Sequence, residues 1–281
     1  MGKVIMSGIV EPLTAPSTFP AVGTPLNSLT WEEVRAISDA GLAADYFSVG
    51  DTKTIVINGK AGATTFSNLS IDVFILGIDH NSSREGTNRI HFGMGKINGV
   101  DVALCDSKYN ATGTSGYFVM DPNNSNSGGW ASSHMRKTIL GSDSTAASPT
   151  ANTLLAALPA DLRAVMKAVT KYSDNTGGGS NTASYVKSTT DYLPLLAEFE
   201  VHGKRTRANS AEQNYQKQYD YYKAGNSFRK YKHNGMNTVA SWWLRSVVNS
   251  NSSYFCRVYT ESSGLNGDAK SSFGISPLFA V

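Results

Sequence analysis

The sequence predicts an α+β fold on three observations. A capped amphipathic helix opens the folded part of the chain, strand-like apolar runs follow it with loops between, and no period of roughly 20 to 50 residues repeats, which argues against solenoids and propellers. Taking the elements in order, residues 1–28 are rich in Pro, Thr, Ser and Gly, with Pro12, Pro16, Pro20 and Pro25 spaced through them. Such composition predicts an extended arm suited to docking onto another body. Thr30 caps the first helix and Glu33 completes a capping box, while Trp31, Val34 and Ile37 fall on one face and Gly41 stops it. Thr52 to Ile57 alternates as a strand expected to turn at Asn58-Gly59; Ile71 to Ile78 and Arg89 to Met94 read as further strands.

Asn110 to Gly129 is Asn-, Ser- and Gly-rich and reads as loop, and Trp130 to Leu140 has the spacing of an amphipathic helix. Two more helices are expected around Ala151 to Leu158 and Ala160 to Val169, separated by Pro159. Gly177-Gly178-Gly179 marks a bend, and Leu193 to Glu200 a short buried strand or helix end.

Charged residues make up only 17% of the 281, below the roughly 25% of an average soluble domain. A net charge of +3 is too mild to imply nucleic acid or an acidic membrane as the main partner. Cys105 and Cys256 offer neither a zinc pattern nor a disulfide framework and read as buried free thiols. The apolar run after Met1-Gly2-Lys3 is too short for a signal peptide, and no stretch has the length of a membrane span, so neither export by the usual route nor anchoring is expected.

No catalytic constellation emerges. His80, His91, His134, His202 and His233 are scattered without the spacing of a zinc helix, and ordinary polar or packing roles are expected for them. Asp79-His80 beside Ser82 and Ser83 suggests a hydrolase only if three groups converge, and there is no Gly-x-Ser-x-Gly elbow or glycine-rich phosphate cradle. From His202 to His233, basic residues alternate with Tyr215, Tyr219, Tyr221, Tyr222 and Tyr231, a mixture that can bind single strands; Glu212 and Asp220 dilute the charge and favour a structured surface segment. No loop has EF-hand spacing. The expectation is therefore no enzyme, no cofactor and no metal.

The last forty or so residues are the most informative. Trp242-Trp243-Leu244-Arg245-Ser246 and Gly274-Ile275-Ser276-Pro277-Leu278-Phe279 bracket a polar segment, 247–273, that is poor core material. Its mixture of aromatic anchors with adaptable polar neighbours is what binding loops use. Alternation in Phe255-Cys256-Arg257-Val258-Tyr259 predicts Cys256 and Val258 on a buried strand face and Phe255, Arg257 and Tyr259 on a presented one. The expected ligand-binding residues are Val247, Asn249, Asn251, Ser253, Tyr254, Arg257, Tyr259, Ser262, Ser263, Asn266, Asp268, Ser271 and Phe273.

Thr30-Trp31-Glu32-Glu33-Val34 with Ala40-Gly41, Tyr46-Phe47-x-Val49-Gly50-Asp51-Thr52-Lys53, the Gly129-Trp130-x-x-Ser133-x-Met135-Arg136 run, Leu158-Pro159, Glu200-Val201-x-Gly203 and the two C-terminal brackets form an ordered series. Together they resemble a family of uncharacterised domains from gut bacteria and their phages that includes target proteins of diversity-generating retroelements. The resemblance covers about residue 30 to the end and implies a C-type-lectin-like (formylglycine-generating-enzyme-like) domain at 29–281 behind the arm at 1–28. It implies adenine-directed variation in 247–273, which cannot produce Trp, Met, Gln, Lys or Glu from AAC or AAT codons; only Glu261 and Lys270 break that rule there. Neither Glu-Pro-Asn nor Gln-Pro-Asp occurs, so calcium-dependent sugar binding does not carry over, and the two distant cysteines do not carry over the formylglycine-generating activity.

The implied function is phage tail-tip receptor binding and host adhesion. Its partners would be a bacterial host-surface receptor, protein or glycan, and phage tail proteins through the arm, on a virion and as a homotrimer. The alternative is a secreted or surface glycan- or protein-binding module of a gut bacterium, placed at the cell surface.

Overall fold

The computed structural model describes residues 19–281, so residues 1–18 of the expected arm lie outside the described residues. The described end of the arm packs on the domain. Leu26 and Leu29 are buried, Leu26–Ser28 makes a 3-10 turn, and Asn27 accepts the Thr54 N–H at 2.8 Å. Extension gives way at residue 26 because Leu26 and Leu29 have apolar surface to cover. Helix α1, Trp31–Asp39, has the capping box its sequence predicts: Thr30 Oγ1 accepts the Glu33 N–H at 3.2 Å and Glu33 Oε2 accepts the Thr30 N–H at 2.7 Å. Its Trp31 edge meets the rings of Phe92 at 5.5 Å and Phe279 at 6.0 Å, which seats the helix on the main sheet.

That sheet begins with β1 (Thr52–Ala61), β2 (Thr64–Ile78), β3 (Ile90–Ile97) and β4 (Val100–Ala103), each antiparallel to the next. Asn58-Gly59 does not turn. Gly59, at φ +145°, sits at a register shift, the strand continues to Ala61, and the chain reverses at Gly62-Ala63. The glycine signal is used for a bulge instead of a hairpin loop. β5 (Val169–Asp174) and β6 (Val186–Asp191) pair separately; β7 (Lys230–Lys232) runs parallel to β4, with β8 (Gly235–Ala240) beside it. β9 (Trp242–Val247), β10 (Tyr254–Tyr259) and β11 (Ser262–Asp268) form a three-stranded antiparallel sheet ordered β11-β10-β9. Finally β12 (Leu278–Ala280) pairs with β3, completing a seven-stranded sheet of order β1-β2-β3-β4-β7-β8 with β12 against β3.

The molecule is mixed α and β, mostly strand with short helices. The helix expected over Trp130–Leu140 is broken at Ser133 (φ −60°, ψ 143°) into Gly129–Ser132 and a π-helical turn at Met135–Leu140, although its expected apolar face survives in buried Trp130, Ile139 and Leu140. The pair around Pro159 shortens to Leu154–Ala157 and Ala160–Val165, because Val169 already opens β5. Both cysteines are free and buried, and burial pushes the Cys105 thiol up to about 12. No helix among the described residues is long and apolar enough to cross a membrane.

Candidate functional site

The C-terminal bracket is rigid for reasons that begin with side chains. Every residue of β9 is buried. The Trp242 and Trp243 indoles donate to the carbonyls of Phe228 (3.1 Å) and Phe118 (3.0 Å), so both tryptophans keep their polar atoms satisfied inside the core. Arg245 is fully buried and holds Glu200 through two parallel bonds, Nη1 to Oε2 at 2.5 Å and Nη2 to Oε1 at 2.8 Å, while donating to Leu195 O and Ser173 Oγ. Despite complete burial, the Arg245 and Lys171 cations hold the Glu200 carboxyl well below the usual carboxylate range.

On this base β10 and β11 project as a hairpin, and the expected presented face needs correction. Phe255 is only 1% exposed: it packs in one core cluster with Trp243, Val247 and Phe273, while Cys256 and Val258 pack in the second with Trp242 and Leu244. Both faces of the strand are therefore covered. Val247 and Phe273, expected to contact ligand, are buried as well. Val247 lies opposite Phe255 in register, and the Phe273 ring meets Trp243 at 4.9 Å. Arg257 is half-buried and locked: its guanidinium stands 4.9 Å from the Phe273 ring, donates to Asn266 O at 2.7 Å, and also donates to Ser241 Oγ.

The other expected residues fall at the two ends of the hairpin, roughly 17 Å apart at the usual strand rise. At the far end Tyr259 is 43% exposed, with Ser262 exposed across from it in register and Ser263 beside it. Ser227 donates to Glu261 there, and Arg229 approaches the same carboxylate at 3.8 Å. At the near end are partly exposed Asn249, Asn251, Ser253, Tyr254, Asp268 and Ser271, and Asn266 lies between the ends. Sequence reasoning gave no role to Asn126. It is fully buried, donates to Asn251 O at 2.6 Å and Tyr254 O at 3.0 Å, and accepts the Gly178 N–H at 2.8 Å, fastening three loops together.

The family described as a domain of unknown function, DUF6273, matches residues 114–281, more than half of the chain. The chain belongs to the DUF6273 family. No curated protein and no solved structure matches it. The DUF6273 region opens in the loop after β4, so β1–β4 lie outside it yet share the main sheet with β7, β8 and β12 inside it. The bracket, the hairpin and the Arg245–Glu200 pair all belong to the DUF6273 region; the polar groups that complete their surroundings come from both sides of its boundary.

Beneath β9 of the DUF6273 region lies a buried network the sequence did not announce. Lys171 Nζ donates to Glu85 Oε2 (2.7 Å), Glu200 Oε1 (3.1 Å) and the Tyr219 hydroxyl (2.8 Å). His80, Glu85 and Glu200 could together supply metal ligands by distance, but the cation between these carboxylates is the Lys171 ammonium, and a metal would have to displace it. His80 stacks on Tyr219 with ring centroids 3.7 Å apart and planes at 16°, and among the described residues no hydrogen bond joins it to Ser82 or Ser83. Tyr219, Tyr221 and Tyr222 are buried, so these rings are packing surface and are not available for base stacking. Above the network a cleft of about 600 Å³ opens between Asp79–Asn81, Phe199 and Gln216–Asp220.

Proposed function

We propose that this DUF6273 protein is a C-type-lectin-like receptor-binding protein of the kind carried at phage tail tips. In this reading the β10–β11 end contacts a bacterial surface receptor, and retroelement-directed variation acts in 247–273. The single observation that carries the reading is Tyr259, an exposed aromatic at the end of a strand whose Phe255, Cys256 and Val258 are buried. Among the described residues the other exposed aromatic is Phe19, before the domain proper. A rigid tyrosine offers contact area at low ordering cost, and Ser262 and Ser263 supply adaptable hydrogen bonds beside it. Substitutions on such a surface usually shift stability by no more than about 0.5 kcal/mol, so this end can vary without unfolding the frame. Residues 1–28 would dock on tail proteins, and several copies on one virion would supply avidity.

The test is binding of the fluorescently labelled protein to intact gut bacterial cells. Tyr259→Ala should weaken it by about tenfold or more, as loss of an aromatic anchor does, while unfolding stays within about 0.5 kcal/mol of wild type. Equal binding by the variant would remove Tyr259 from the site. Finding a near-identical, adenine-rich copy of the 247–273 coding region beside a reverse transcriptase gene would separately establish diversification.

A further inference from the structure

The cleft above the buried network shares no residue with the hairpin, and its polar groups are unusual. Gln216 is 5% exposed; its Nε2 donates to Tyr172 O at 2.7 Å and to Glu212 Oε2 at 3.1 Å. Two acceptors on one atom fix the amide's orientation, leaving Oε1 as a buried acceptor with no partner among the described residues. His80 is likewise 5% exposed, and its Nε2 has no partner among the described residues. An unpaired buried polar atom gives up its hydrogen bond to water without a replacement. Both residues line one cleft, and although the two atoms are themselves covered, a ligand that displaced the cover would gain hydrogen bonds that the chain leaves unmade.

The chemistry of the walls narrows that ligand. Burial, with Lys171 nearby, lowers His80 to about 3, so at ordinary pH its ring is a neutral imidazole offering one donor and one acceptor. Gln216 Oε1 requires a donor. Around the mouth, Asp79 and Asp220 are balanced by Lys217 and Lys223, so no net charge selects an ion. Half-buried Phe199 supplies an apolar wall. The volume, about 600 Å³, lies within the range of about 300 to 1,000 Å³ usual for small-molecule sites. Hydroxyl groups both donate and accept, and a sugar ring pairs a row of them with an apolar C–H face.

We propose that the cleft between Asp79–Asn81 and Gln216–Asp220 binds an uncharged saccharide of one or two rings, with hydroxyls on Gln216 Oε1 and the His80 ring and the sugar face against Phe199. The His80 turn is built to hold this geometry. Asp79 and Asn81 both sit at positive φ (+50° and +49°), which Asp and Asn tolerate, and the Asn81 side chain donates to Tyr215 O at 2.9 Å, tying the turn to the segment that carries Gln216.

The experiment is an NMR titration of the full isotope-labelled chain with neutral mono- and disaccharides, with glucuronate and a neutral tripeptide alongside. Saturable shifts of millimolar affinity are expected for at least one neutral sugar, in the amides of Asp79–Asn81 and Gln216–Asp220, weakened about tenfold or more in His80→Ala. Should His80→Ala fail to fold, Lys223→Trp, made at the exposed rim, should block the same shifts and leave the core alone. A purified uncharged cell-surface polysaccharide in place of the free sugars distinguishes a polymer ligand, which broadens these resonances, from a free sugar, which shifts them. Saturable shifts only with the tripeptide, stronger binding of glucuronate, shifts confined to 247–273, or no saturable shift with any sugar would each overturn the proposal. Because Tyr259 lies outside the cleft, failure here leaves cell binding through the hairpin untouched.

Discussion

Arg245 carries a guanidinium into a strand whose every residue is buried, and Glu200 makes that possible. Removing one partner of a buried pair leaves the other charged and unpaired, which destabilises by about 3 to 5 kcal/mol. Arg245→Ala should therefore lower the urea-unfolding free energy by that amount, whereas a loss below about 1 kcal/mol would show that Lys171 alone suffices for Glu200. Sequence marks Trp242-Trp243-Leu244 as a frame because burial is written in residue type. It does not mark the ion pair, because Glu200 sits on another element, 45 positions away. Gln216 and Asn126 escaped for the same reason: a lone amide in a polar segment looks like surface until its partners are known.

The β10–β11 hairpin shows how far periodicity reaches. Alternation found the strand and its Cys256–Val258 side, since that information is local. It could not see that Phe118 and Phe273 gather on the Phe255 side, so of the face expected to be presented Phe255 is buried, Arg257 half-buried and Tyr259 alone exposed. Gly267 shows how tight that cover is. A Cβ there would lie 2.6 Å from Phe273 and 2.9 Å from Trp243. Gly267→Ala should therefore cost about 1 to 3 kcal/mol by overpacking and change the tryptophan fluorescence; unchanged stability and emission would mean the rings move aside freely. The capping box of α1 was legible for the opposite reason, its partners being three residues apart.

For the molecule as a whole, burial leaves every one of the five histidines with a lowered pKa: about 3 for His80, about 4 for His202 and His233, well below normal for His91, and lowered for His134. The unfolded chain takes up these protons first as pH falls below 6.5, so folding stability is full above that value and is lost toward about 3 to 4. Glu212 works the other way. Burial raises it to about 7 from 4.5, so the folded chain binds that proton first and gains stability as pH falls between those values. Burial raises Glu85 in the same direction, and five groups outweigh two. Urea unfolding should show stability falling with acidification by about 3 kcal/mol per pH unit or more, equivalent to at least two protons, and Glu212→Gln should steepen the fall above pH 4.5; a flat profile would contradict the burial of the imidazoles. The mixed α and β class was legible at this scale, because strand and helix patterns are local. The sheet order was not, since β7 beside β4 and β12 against β3 join segments more than a hundred residues apart. That last pairing governs how the protein can be made. A ribosome has to release every residue between the two strands before Leu278–Ala280 can dock against Gly93, Phe92 and His91, so the first strands wait through all of that synthesis with an unfilled edge, the period in which a holding chaperone matters most.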